Sequence, residues 1–323
     1  MFFKAAIAIG AGLASALLFF IPVKGTTAAM ALALLGPLPI MIAGLGFGAG
    51  VGLSAAAAGT LAISLALDPL LGIFFAASLG LPAFWLASLA ARTVAVAHPE
   101  TGAPVAIPVY SSGKLLAWTA TLAAASAMLP AVVLAIRFPS VSVGLDETAR
   151  QLAPIVRRLL GGESNMPYQM SAPEFARVLV TAMPALIAAW SVLTLSFNLW
   201  LAGRISRMSG LATPRADDLP SQLRLPRDCI FVLGASIVAC TLGETPRFIA
   251  STLTAALLMG YALHGLAVVH GFLRANPLRG ALLFGVYALI FMTAWPLLLA
   301  VAIGIFDSLI PVKRLPAPQA PAA

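Results

Sequence analysis

Four polar residues stand inside long apolar runs of the sequence: Asn198, Tyr261, His264 and Asp307. In lipid such a side chain costs a few kcal/mol unless it faces protein or a cavity, so each is a candidate contact for a bound solute. Tyr261 and His264 are three residues apart on one helix face, and Gly260 beside them leaves room for close approach. His270, six residues past His264, points elsewhere. Each also has a plain structural reading. Asn198 can hydrogen-bond a neighbouring helix, His264 can be a satisfied interior histidine, and Asp307 can pair with Lys313 or Arg314 at an interface. Glu244 and Arg247 can neutralise each other at a turn. As a set, the polar residues of the sixth, eighth and ninth apolar stretches describe a cleft able to bind a small solute.

Catalytic signatures are missing. There is no His-Glu-x-x-His helix, no Gly-x-Ser-x-Gly elbow and no Walker loop, so an ATP-driven step needs a partner. Cys229 and Cys240 are eleven residues apart, about 16 Å along a helix and beyond disulfide reach. With 3 histidines and 2 cysteines in the chain, a metal centre is not expected, nor a cofactor. No nucleophile–base pair stands out, and the chain is read as a non-enzyme.

The elements that position these residues follow from composition. Hydrophobic residues make up 61% of the 323 and charged residues 9%, against about 25% charge in a soluble domain. That excludes a soluble globular enzyme and a disordered chain, and leaves an all-α, polytopic transmembrane helix bundle. The net charge of +8 is spread over several loops without the aromatic interleaving of a single-strand binder. Nucleic acid is therefore not an expected partner; the lipid bilayer is.

Nine apolar stretches can be counted, giving about 8–9 spans. The first, Ala5 to Ile21, reads as an uncleaved span, and Ala8, Gly12 and Ala16 suit close helix packing. The next three are 27–44, 48–67 and 70–91; Pro37 and Pro39 mark the first of them as broken or partly re-entrant. After a polar loop, 92–113, a fifth span runs from Leu115 to Ile136. The segment 137–173 is extramembrane and carries an amphipathic helix, 145–160, kinked at Pro154, that lies at the interface or caps the bundle. A sixth helix opens at Pro173 and ends near Ser206, followed by a basic loop, 204–227, with Arg204, Arg207, Arg215 and Arg224 as contacts for a partner or lipid headgroups. A short seventh stretch (228–243), an eighth (246–273) and a ninth (278–309, tilted or kinked at Trp295-Pro296) complete one membrane domain, 1–312, before a disordered Pro/Ala tail, 313–323. The basic residues at span ends place the N-terminus in the cytoplasm.

The run Asn198-Leu-Trp-Leu-Ala-Gly-Arg204, with Arg207 and Ser209-Gly210, resembles the bacterial membrane-protein family DUF2232 (domain of unknown function 2232), in its proteobacterial branch. Gly265-Leu-Ala-Val-Val-His270, Trp295-Pro296 and Gly304-Ile-Phe-Asp307 follow in the same order, so the resemblance covers most of the chain. It departs at Leu211-Ala212-Thr213-Pro214, where the family pattern carries Arg before the Pro. The family is similar in character to the substrate-binding subunits of energy-coupling-factor vitamin transporters. The resemblance thereby implies a transport-related protein that binds a small solute and recruits a transmembrane coupling protein and ATPases. In that reading Asn198, Tyr261, His264 and Asp307 bind the solute, while the broken second span or the 137–173 helix gates it. The alternative is a membrane scaffold or assembly factor without a solute, whose working surfaces are the 204–227 loop and the 145–160 helix.

Overall fold

Backbone buried in lipid has no water to bond, so a chain this apolar must satisfy its N–H and C=O groups internally, which helices do. The structure, a computed structural model, describes residues 2–21, 25–97, 104–162, 167–211 and 223–310. It is an all-α polytopic helix bundle with one small hairpin.

Helices α1 (Phe2–Phe20), α2 (Thr27–Ala33), α3 (Leu38–Phe47), α4 (Ala49–Ala66), α5 (Pro69–Phe75) and α6 (Leu81–Ala90) make four spans, because α2–α3 and α5–α6 each continue one another. Asp68 caps α5 by accepting from the Leu70 and Leu71 amides, and a π-turn, Ala76–Gly80, carries the chain into α6. Small residues bring α1 onto α4 as their spacing predicts. A Cβ on Gly12 would collide with the Ala55 carbonyl and stand 2.7 Å from the Gly59 nitrogen. The expected break in the second span lies at residues 34–37, between α2 and α3.

The loop expected over 92–113 contains β1 (Thr93–Ala97) and β2 (Pro104–Pro108), paired antiparallel with Thr93 opposite Pro108 and Ala97 opposite Pro104. Alternating Val and Ala favour extended chain. Both prolines stand at strand ends, where a missing N–H is tolerated.

Beyond the hairpin run α7 (Ser112–Ala127), α8 (Leu129–Arg137), α9 (Val141–Leu159), α10 (Ala172–Met208), α11 (Asp228–Ala239), α12 (Glu244–Phe272), α13 (Arg279–Thr293) and α14 (Pro296–Leu309). Among the described residues seven helices are long and apolar enough to cross a membrane, eight if α13 and α14 form one broken span. Two of the nine stretches account for the difference. The seventh forms only the 12 residues of α11, about 18 Å against a hydrocarbon core of about 30 Å. The ninth bends by 119° between α13 and α14, at Ala294 with φ 55° and just before Pro296, which is the geometry of a broken span or a re-entrant loop.

The chain divides into two compact units. The first comprises residues 1–119, 192–229 and 259–323, the second 120–191 and 230–258. In the second, the amphipathic helix begins earlier than expected, at Val141 with Ser140 as its N-cap. Part of its apolar face is covered: Ala149, Ala153 and Val156 pack on Ala172 and Ala176 of α10, and Leu145 packs on Ala131 and Phe248, while Leu159 is exposed. Arg177 pairs with both Asp146 and Glu244. The expected Glu244–Arg247 neutralisation therefore gives way to Glu244–Arg177, while Arg247 donates to the Cys240 carbonyl at 3.1 Å. The tail expected to be disordered, 313–323, lies outside the described residues.

Candidate functional site

The residues of the polar clusters and of the cavity described below belong to the first unit. Asn198 sits on α10, buried at 0% exposure. Its Nδ2 donates to the Leu34 carbonyl at 2.6 Å and to the Thr194 carbonyl at 2.8 Å. The first bond has a clear local cause. Leu38 N donates to Leu35 O across the α2–α3 break, so the helical partner of Leu34 O is lost and Asn198 replaces it. This is the interhelical reading of Asn198.

The second cluster joins α12 to α14. His264 Nε2 lies 2.8 Å from Asp307 Oδ2, and both side chains are fully buried. Arg224 clasps the same carboxylate from another side, Nε to Oδ2 at 3.2 Å and Nη2 to Oδ1 at 3.4 Å. Ser308 Oγ is 3.5 Å from His264 Nδ1 and 3.1 Å from the Gly304 carbonyl. The Tyr261 ring stacks on His264 at a centroid distance of 6.3 Å. Asp307 thus has a partly exposed guanidinium and a buried imidazole as described partners, where pairing with Lys313 or Arg314 was one expectation; those two residues lie outside the described set. A carboxylate at this depth is stable only with such partners.

Backbone contact makes the cluster possible. A Cβ on Gly265 would collide with the Ala300 carbonyl, and one on Gly304 with the Tyr261 carbonyl; the Gly304 position is also 3.0 Å from the Gly265 nitrogen. These two glycines, rather than Gly260, supply the close approach. Gly260 faces only the Leu225 side chain, at 3.5 Å. Arg224 is delivered by a non-helical segment pressed against the start of α7, where a Cβ on Gly113 would meet the Arg224 carbonyl. Leu225, next in line, is buried.

A cavity of about 630 Å³ opens beside this cluster's helices. Its walls come from α7, α10, α12 and α13 and include Leu116, Leu193, Trp200, Leu263, Arg207 and His270. Asn198, Tyr261, His264 and Asp307 are not among its lining residues. On α12 the reason is helical phase: Leu263, Leu266, Ala267 and His270 form one stripe, and Tyr261 and His264 fall on another. His270 does point elsewhere than His264, as its spacing predicts, and that direction is into the cavity. Of the arginines assigned to a partner or headgroup, Arg204 is exposed, Arg207 lines the cavity, Arg224 holds Asp307, and Arg215 lies outside the described residues. Sequence reading missed Ser308, Gly113 and the Arg224–Asp307 pair. The pair is 83 residues apart, and no periodicity marks it.

No group of three His, Cys, Asp or Glu able to hold a metal ion occurs among the described residues. Cys229 and Cys240 are free thiols, both partly buried.

In comparison with known proteins, the family model described as "Predicted membrane protein (DUF2232)" matches residues 13–308. No curated protein and no solved structure matches the chain.

Proposed function

The chain belongs to the DUF2232 membrane-protein family, and we propose that it binds a small solute within its helix bundle as a transport-related protein. We place it in the bacterial inner membrane, in the family's proteobacterial branch, with its N-terminus cytoplasmic. The observation that carries this reading is the 630 Å³ cavity, which falls in the range of about 300–1,000 Å³ typical of ligand pockets. Its position on α10 and α12 matches two of the three helices singled out by their polar residues. In this reading the cavity face takes the solute. Asn198, Tyr261, His264 and Asp307 act from behind it, holding α10, α12 and α14 so that the cavity keeps its shape. The protein performs no chemistry on the solute, and translocation is driven through a transmembrane coupling protein and ATPases, as in energy-coupling-factor transporters.

Ser196 provides the test, since its buried hydroxyl lines the cavity without a hydrogen-bond partner among the described residues. In Ser196→Phe the ring fills the space. Purified wild type, screened by thermal unfolding against vitamins, amino acids and lipophilic acids, should be stabilised by about 2.7 kcal/mol by a ligand at a hundred times its Kd. Ser196→Phe should show no shift with the same compound. If no compound shifts wild type and native mass spectrometry finds no bound molecule, solute binding is refuted.

The second reading, a scaffold or assembly factor, is favoured by one observation: Asn198, His264 and Asp307 are all completely buried, as packing residues are. It predicts that charge reversal at Arg204 abolishes a partner pull-down, while Ser196→Phe is indistinguishable from wild type in cells.

A further inference from the structure

The cavity has two unlike ends. Its charged and imidazole-bearing lining residues come from helix ends, with Ser112 beside them: Ser112 is the first residue of α7, Arg207 the last but one of α10, and His270 lies two before the end of α12. Away from those ends the lining is mostly apolar, with the hydroxyls of Thr119 and Ser196 among its polar groups. Leu193 is fourteen residues before Arg207, about 21 Å along α10, and Leu263 is seven before His270, about 10 Å along α12. Phe197 and Trp200, with ring centroids 5.9 Å apart, line the stretch between.

Among the described residues, charge at the polar end has one sign. None of the described residues lining the cavity is acidic, and Arg207 is the charged one among them. Its guanidinium makes no ion pair among the described residues. Gly203, one turn earlier, gives it room to lie along α10: a Cβ there would stand 3.3 Å from Arg207 Nη1. His270 is held by donating from Nδ1 to the Leu266 carbonyl at 2.9 Å, which directs Nε2 away from its own helix. Its ring packs on Tyr287 at 5.8 Å. A half-buried guanidinium with no carboxylate beside it among the described residues is suited to a bidentate oxyanion. A fully polar metabolite would leave its groups unpaired along the Leu, Phe and Trp wall.

We propose that the cavity takes a single-chain anionic amphiphile, with the alkyl or isoprenoid chain along the α7, α10 and α12 wall and the carboxylate or phosphate head on Arg207. This rests on the cavity being the binding site and names the ligand class it accepts.

The test uses the full-length protein in a neutral detergent and cis-parinaric acid, a fluorescent long-chain carboxylate excited by energy transfer from Trp200. Binding should saturate. The methyl ester should bind at least tenfold more weakly, because it lacks the charge that the guanidinium reads. Dodecyl phosphate should displace the probe and dodecanol should not. Arg207→Gln should weaken the acid about tenfold and leave the ester unchanged, while Ser196→Phe should abolish binding of both. If acid and ester bind alike and Arg207→Gln changes neither, the anionic class is wrong, although loss in Ser196→Phe would keep the cavity as the site. If Ser196→Phe binds both as wild type does, the cavity reading itself fails.

Discussion

Asp307 is the residue on which most depends locally. It is a fully buried carboxylate held by Arg224 and His264, and removing one partner of a buried charge pair costs about 3–5 kcal/mol because the remaining charge is stranded. Asp307→Ala should therefore lower unfolding stability by about 3 kcal/mol, seen as a lower Tm in detergent. His264→Gln, which can still donate to the carboxylate, should lose much less. Arg224 is partly exposed at 38%, and water replaces part of its contribution, so Arg224→Gln should fall between the two. Equal effects for all three would contradict the geometry. Asn198 makes a second case. Asn198→Leu leaves the Leu34 carbonyl without its donor and should cost about 1–3 kcal/mol, measurable in the same unfolding assay. The fact that Asn198 is polar within an apolar run was legible in the sequence. Its partner was not, because Leu34 is 164 residues away and offers a backbone atom, which no side-chain pattern records.

Among the elements, α12 and α14 touch through Gly265 and Gly304, with backbone on both sides of the contact. A methyl group there cannot be absorbed by a rotamer change, and overpacking costs about 1–3 kcal/mol or more. Gly265→Ala and Gly304→Ala should each reduce folded yield and Tm, whereas Gly260→Ala, facing only a side chain, should be near neutral. A Gly265→Ala protein as stable as wild type would remove α14 from its place against α12. The Tyr261–His264 spacing predicted a shared face, and the rings do stack. That this face lies off the lining of the cavity was not legible, because helical phase alone cannot say whether a polar stripe looks onto a cavity or onto another helix. In α9, by contrast, five apolar positions at helical spacing marked one amphipathic face, on which Leu159 is 80% exposed and Leu145, Ala149 and Val156 are buried. Its neighbours show why: the ion pairs from Arg177 to Asp146 and Glu244 sit at its edge. Those side chains are half exposed, so Arg177→Ala should cost at most about 1 kcal/mol and less in high salt, as denaturation at two ionic strengths would register.

For the whole molecule, the distribution of Lys and Arg makes a topological prediction. In a protein whose Cys229 and Cys240 are replaced by Ser, single cysteines at Thr93 and Ser209 should be shielded from a membrane-impermeant maleimide in intact cells, and one at Asp68 should be labelled. The reverse pattern would invert the orientation. Composition alone determined that this chain is an α-helical membrane protein, because 9% charge cannot dress a water-facing surface of this size, and it located most of the long helices, because lipid demands about 20 apolar residues per span. Tertiary structure decided the rest: that the ninth stretch turns through 119°, that Arg224 reaches back to Asp307, and that Arg207 and His270 meet at one cavity while the more conspicuous Asn198 and His264 are packed away from it. The physical reason is that hydropathy measures what each residue prefers to leave behind, water or lipid. Which buried partner it then finds depends on backbones brought together by glycines far apart in the chain.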